Sequence, residues 1–124
     1  MRRSTWKAAA LAIVTAAVAA LGTSGAHAAD GTVHGCPSGA VCIYPEGASI
    51  LTSTPTDFFY SYGAHNLHNQ FGVHDVFNNQ YGSLNATAQL CTGYNGVNCV
   101  TTIGLHGNGM FDLTPINSIV LNRP

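Results

Sequence analysis

Residues 78–99 read NNQYGSLNATAQLCTGYNGVNC. Within them Leu84, Ala86, Ala88 and Leu90 alternate with Asn85, Thr87 and Gln89 without a break. A period of two is the mark of a half-buried antiparallel strand, with its apolar side chains facing in. The two alanines on that face call for close approach by a second sheet. Asn79-Gln80-Tyr81-Gly82-Ser83 makes a turn before the strand, and the residues between Cys91 and Cys99 make a hairpin after it. Asn95-Gly96 alone would form a two-residue loop, which sets Cys99 opposite Thr92. A bridge from Cys91 to Cys99 instead needs a three-residue loop, 94–96, with Gly96 in the left-handed position. The sequence places a glycine there.

The other two cysteines, Cys36 and Cys42, enclose Pro37-Ser38-Gly39-Ala40-Val41. Pro37 suits the second position of a type I turn and Gly39 the fourth. Four cysteines allow three connectivities. The local one, Cys36–Cys42 with Cys91–Cys99, is the pairing expected here. The spacings C-x5-C and C-x7-C are not the C-x2-C of a structural zinc site.

Disulfides imply export, and the start of the chain agrees. Arg2, Arg3 and Lys7 precede an apolar run over 8–21, and Ala26-His27-Ala28 follows with small residues at a cleavage site. This is the pattern of a secretory signal peptide over 1–28, whose apolar run is too short to span a bilayer. The expected mature domain is 29–124, a secreted, extracellular protein. It keeps one basic residue, Arg123, against Asp30, Glu46, Asp57, Asp75 and Asp112, a formal charge of −4. With no basic patch, nucleic acid and anionic lipid have nothing to bind. The mature product is expected to be a soluble monomer off the membrane.

The mature stretch holds twelve Gly and ten Asn, poor material for helices. Short apolar runs between turn residues predict an all-β domain. Strands are expected over 40–44, 58–62, 71–78, 84–90 and 100–103. Phe71, Val73 and Phe77 should share a face, with Gly72 marking a bulge or a close approach. Residues 45–57 read as a long connection or a poorly paired edge, 64–70 as irregular and 104–109 as a loop. Phe111, Leu113, Ile116, Ile119 and Leu121 return to the core. The cysteine hairpins near 36–42 and 91–99, each followed by an Asn/Ser turn, give a twofold rhythm that two packed Greek keys would produce.

The segment Cys36-Pro-Ser-Gly-Ala-Val-Cys-Ile-Tyr44 resembles the opening of small secreted actinobacterial proteins related to the Streptomyces metalloproteinase inhibitor. Residues 77–82 (FNNQYG), 90–96 (LCTGYNG) and 113–119 (LTPINSI) are similar to later segments of that group. The resemblance implies a βγ-crystallin-like sandwich of two Greek-key motifs with two disulfides. It also implies a non-enzymatic inhibitor whose partner is a secreted metallopeptidase. Tyr44-Pro45-Glu46-Gly47-Ala48-Ser49-Ile50 departs from the aromatic hairpin signature of the crystallin fold. That fold's calcium signature is matched at Asn78, Asn79 and Ser83 but broken at Gly82, leaving at most one weak calcium site and no other cofactor. The alternatives to inhibition are a structural or cell-surface module with weak calcium binding, and a crystallin-like killer toxin.

Enzymatic readings find little support. His65, His68 and His74 lack the Glu of an H-E-x-x-H peptidase helix. Adjacent His74 and Asp75 would point to opposite faces of a strand. Five scattered acids select no glycosidase pair, and bridged cysteines are no nucleophiles. An inhibitor needs a rigid exposed segment carrying apolar residues. Ile50 and Leu51, between Pro45 and Pro55, are the candidate inhibitory pair.

Overall fold

The computed structural model describes residues 31–124. The leader expected at 1–28 lies outside them. Eight strands form: β1 (Ala40–Ile43), β2 (Asp57–Phe59), β3 (Gly63–Asn66), β4 (Val73–Asn79), β5 (Ala88–Cys91), β6 (Cys99–Ile103), β7 (Asn108–Asp112) and β8 (Ser118–Leu121). A 3-10 turn at Tyr94–Gly96 is the one helical piece among the described residues. The strands make two four-stranded sheets, in the orders β2-β1-β4-β7 and β3-β8-β5-β6, and all pairings are antiparallel. Each run of four consecutive strands keeps three in one sheet and sends its third to the edge of the other. Exchanging β1–β4 for β5–β8 therefore maps one sheet order onto the other.

The main core lies between the sheets. Val41, Ile43 and Val76 meet Ala88, Leu90, Ile103, Ile119 and Leu121, with Leu113 and Ile116 closing one end. Ala88 on β5 is fully buried, as close approach of a facing sheet requires. A second, smaller cluster covers the outer face of the first sheet: Cys36, Ala40, Cys42, Tyr44, Ile50 and Phe77. All of β1 and most of β4 are therefore buried on both faces. A strand buried on both faces loses its alternation in the sequence, and here β1 reads as the plain run AVCI.

Several expectations change. The strand expected over 84–90 starts only at Ala88, and Leu84 is 83% exposed. Ser83 and Asn85 form a turn there, with the Ala86 N–H donating to the Ser83 carbonyl and the Asn85 N–H to Ser83 Oγ. The Ala86 carbonyl is taken by the Asn78 and Gln80 side chains, and the Thr87 carbonyl by the Gln80 side chain and by the Asn122 N–H just beyond β8, so side chains replace the strand ladder at Ala86. Phe71 lies outside β4 and is exposed, while Val73 and Phe77 do share a face, the outer one. The aromatic run 58–62 splits, with β2 ending at Phe59 and Gly63 opening β3. Residues 64–66, part of the stretch expected as irregular, join Gly63 in β3 because β8 offers them a ladder from Gly63↔Leu121 to Asn66↔Ser118. Gly72 does mark a close approach: a Cβ there would collide with the Glu46 side chain.

Disulfides join Cys36 to Cys42 and Cys91 to Cys99. In the second hairpin Cys91 and Cys99 are register partners. The loop is 94–96, as that register requires, with Gly96 left-handed (φ 78°); Asn95 (φ 60°) is left-handed as well, so an Asn-Gly turn forms within it. Tyr94 is then the odd residue, because the Gly93 N–H donates to the Val97 carbonyl and the Thr92 N–H to that of Asn98. The tip folds back onto the second sheet, where Asn95 exchanges hydrogen bonds with the Asn66 side chain and the Gly96 N–H donates to Ser118 Oγ. In the first loop the Ala40 N–H donates to the Pro37 carbonyl and Gly39 has φ 92°. Pro37 therefore opens that turn, with Gly39 at its third position, which is the type II arrangement.

Tyr44 ties the second cluster to the start of the described chain, its buried ring ending in a hydroxyl that donates to the His34 carbonyl at 2.8 Å. Desolvation first, and then the nearby Asp75 carboxylate, push its pKa up from 10.0 to about 12. A raised pKa means that the folded state holds the phenol proton longer than the unfolded chain does. Stability is therefore full below pH 10 and falls as pH rises towards about 12. Thermal melts across that window should show a steep decline that Tyr44→Phe flattens. An equal decline in both proteins would place its origin elsewhere.

Candidate functional site

The connection from β1 to β2 is fixed at both ends. The Tyr44 N–H donates to the Asp75 carbonyl and the Gly47 N–H to that of Val73, while the Thr56 N–H returns to the Ile43 carbonyl at 2.8 Å. Between these ties a tight turn forms, with the Thr52 and Ser53 N–H groups both donating to the Ser49 carbonyl. The Leu51 N–H donates to Ser49 Oγ at 3.1 Å, an arrangement that short hydroxyl side chains favour in turns. Pro55 is buried against the segment around Gly35.

The structure separates the two candidate inhibitory residues. Ile50 is 9% exposed and sits in the second cluster beside Tyr44 and Phe77, whereas Leu51 is 73% exposed at the crest of the turn. Ile50 acts as the anchor and Leu51 as the presented side chain. A leucine held out on a backbone with hydrogen bonds at its base loses little freedom on meeting a partner.

Asn78 and Asn79 end β4, buried, with their amides turned to backbone. Asn78 Nδ2 lies 2.8, 3.1 and 3.1 Å from the carbonyls of Ala86, Ile103 and Gly104, and Asn78 Oδ1 accepts from the Gln80 N–H. Asn79 Nδ2 donates to the carbonyls of Gly31 and Cys36. Ser83 is exposed, its hydroxyl accepting from the Asn85 N–H. In this arrangement Asn78 ties the β4–β5 connection down and Asn79 holds the segment before β1.

The three histidines singled out above are not gathered into one site. His65 is half-buried and bonds to Ser61, His68 is exposed, and His74 is buried with Nδ1 2.6 Å from the Tyr44 carbonyl and Nε2 2.9 Å from that of Phe71. Among the described residues no three His, Cys, Asp or Glu side chains cluster as metal ligands. The fold instead brings His34 and His106, distant in sequence, to opposite walls of one cleft on the outer face of the first sheet. Sequence reading left both unassigned, since each stands alone beside glycine in a turn. Comparison with protein-family models, with curated proteins and with solved structures finds no match for this chain.

Proposed function

We propose that this chain is an exported, non-enzymatic inhibitor of secreted metallopeptidases, built on a βγ-crystallin-like domain of two Greek keys. The fold part of this reading is supported by the repeated strand order, in which each four-strand unit passes its third strand to the opposite sheet. Two disulfides in a small domain of few charges suit an oxidising, extracellular setting. The functional part rests on Leu51, a bulky apolar side chain presented on a turn pinned by Ile50 and Pro55. A thermolysin-like enzyme favours such a residue beside the bond it cuts, and the turn offers it without the flexibility of a substrate.

The test separates the presented residue from its anchor. Leu51→Ser should leave the unfolding midpoint unchanged and abolish inhibition of a panel of secreted zinc metallopeptidases. Ile50→Ser should lower stability by about 2–3 kcal/mol, the transfer cost of one buried aliphatic side chain together with the buried hydroxyl. Full inhibition by Leu51→Ser would remove the turn from the reading. If the wild-type protein inhibits none of the panel, and calcium raises its melting temperature, a calcium-binding structural module takes the place of the inhibitor.

A further inference from the structure

A cleft of about 420 Å³ opens on the outer face of the first sheet. Its size is that of a small-molecule site. The ladder pairs Phe77 with Asn108, which sets these two side chains next to each other on the cleft floor. One wall is the turn 33–36, closed by two backbone hydrogen bonds between Val33 and Cys36, with His34 at its tip. The His34 ring meets the edge of Phe77 at 6.1 Å between centroids. The other wall is the β6–β7 turn, where the His106 N–H donates to the Asn78 carbonyl. Both histidines are held at positive φ, 51° and 62°. Tyr81, 63% exposed, stands at the rim.

The amides around this cleft have a common polarity. Asn79 commits its NH2 to the Gly31 and Cys36 carbonyls, and Asn108 donates to Asp75 Oδ1 at 3.2 Å. Gln80 donates to the carbonyls of Ala86 and Thr87, neither of which lines the cleft. Each of the three therefore keeps its carbonyl oxygen as the end without a protein partner among the described residues. For Gln80 this is costly. The residue is 3% exposed, and its Oε1 is the one buried side-chain polar atom without a partner among the described residues. A buried acceptor left unpaired costs about 1–3 kcal/mol.

We propose that this cleft binds a neutral saccharide unit, independently of the inhibitor reading. The ligand must donate hydrogen bonds to amide oxygens and lay a carbon face against aromatic rings. Among the described residues no carboxylate, Lys or Arg lines the cleft. An anion would find acceptors where it needs donors, and a cation would find no counter-charge. A sugar ring answers both demands: its hydroxyls donate to Asn79 and Asn108 and exchange hydrogen bonds with the two imidazoles, and its C–H face packs on Tyr81 and Phe77.

Titrating the isotopically labelled protein with chitotriose, cellotriose and maltotriose tests this by NMR. At least one should give a saturable shift of the Asn108 side-chain amide, with Kd of about 1 mM or tighter. Tyr81→Ala, at an exposed position, should weaken that binding by roughly three- to tenfold. His34→Asn should also weaken it, asparagine being a residue that tolerates the left-handed backbone there. Leu51→Ser should bind as the wild type does. The proposal is overturned by the absence of a saturable shift with all three sugars, by affinity untouched by both cleft substitutions, or by binding of tetramethylammonium without any sugar.

Discussion

Asn78→Ala is expected to lower stability by about 3–5 kcal/mol, more than most single changes in a domain of this size. The side chain is fully buried at the end of β4 and bonds to three carbonyls and one N–H. Truncation leaves the carbonyls of Ala86, Ile103 and Gly104 without this donor and the Gln80 N–H without its acceptor. No strand ladder serves the Ala86 carbonyl, because the backbone there has left the sheet. Asn78→Asp should cost more still, since a carboxylate offers no donor and turns negative charge towards three carbonyl oxygens. Urea denaturation of both variants checks this. A loss below about 1 kcal/mol for Asn78→Ala, the net worth of one ordinary hydrogen bond, would show that water or a small backbone shift replaces the amide.

Removing both disulfides should have a comparable effect. Sequence separations of 6 and 8 close short loops. On chain-entropy grounds each is worth about 2–3 kcal/mol. Together they amount to about 5 kcal/mol, close to the whole stability of many small domains. The quadruple variant Cys36→Ala, Cys42→Ala, Cys91→Ala and Cys99→Ala should therefore be largely unfolded at 37 °C. The two pairs should also differ. Cys36 and Cys42 are both buried in the second cluster, whereas Cys99 is half-buried. Loss of the first pair should loosen the turn carrying Leu51 as well as the fold, through Ile50 in the same cluster. Circular dichroism melts of each double variant separate these contributions. Wild-type melting of the quadruple variant would refute the entropic account.

The all-β class and the two hairpin bridges were legible because local chemistry decides them: glycine at turn positions, β-branched runs, cysteines a few residues apart. The late core residues Leu113, Ile116, Ile119 and Leu121 were legible for the same reason. What was not legible depends on partners distant in the chain. Gly63-Ala64-His65-Asn66 has no strand signature and becomes β3 only because β8 reaches it. Leu84 fits the alternation of its neighbours, yet it is turned outwards by a connection that bonds to the side chains of Asn78 and Gln80. The candidate sites divide along the same line. A turn between two prolines marked Ile50 and Leu51, but which of the pair faces solvent depended on a second cluster invisible to periodicity. His34, His106 and Gln80 carried no motif, and only the fold sets them around one cleft.

The exchange of third strands has a consequence for how this architecture can be taken apart. With β3 lodged beside β8 and β7 beside β4, each half of the chain completes the other's sheet. A polypeptide ending within the β4–β5 connection would have a first sheet without its β7 edge and a β3 without a sheet to join. Neither half is a separable module, although the strand order repeats. A break in the exposed turn at 82–85 would leave two hooked pieces, each clasped by a strand of the other, and not two smaller domains.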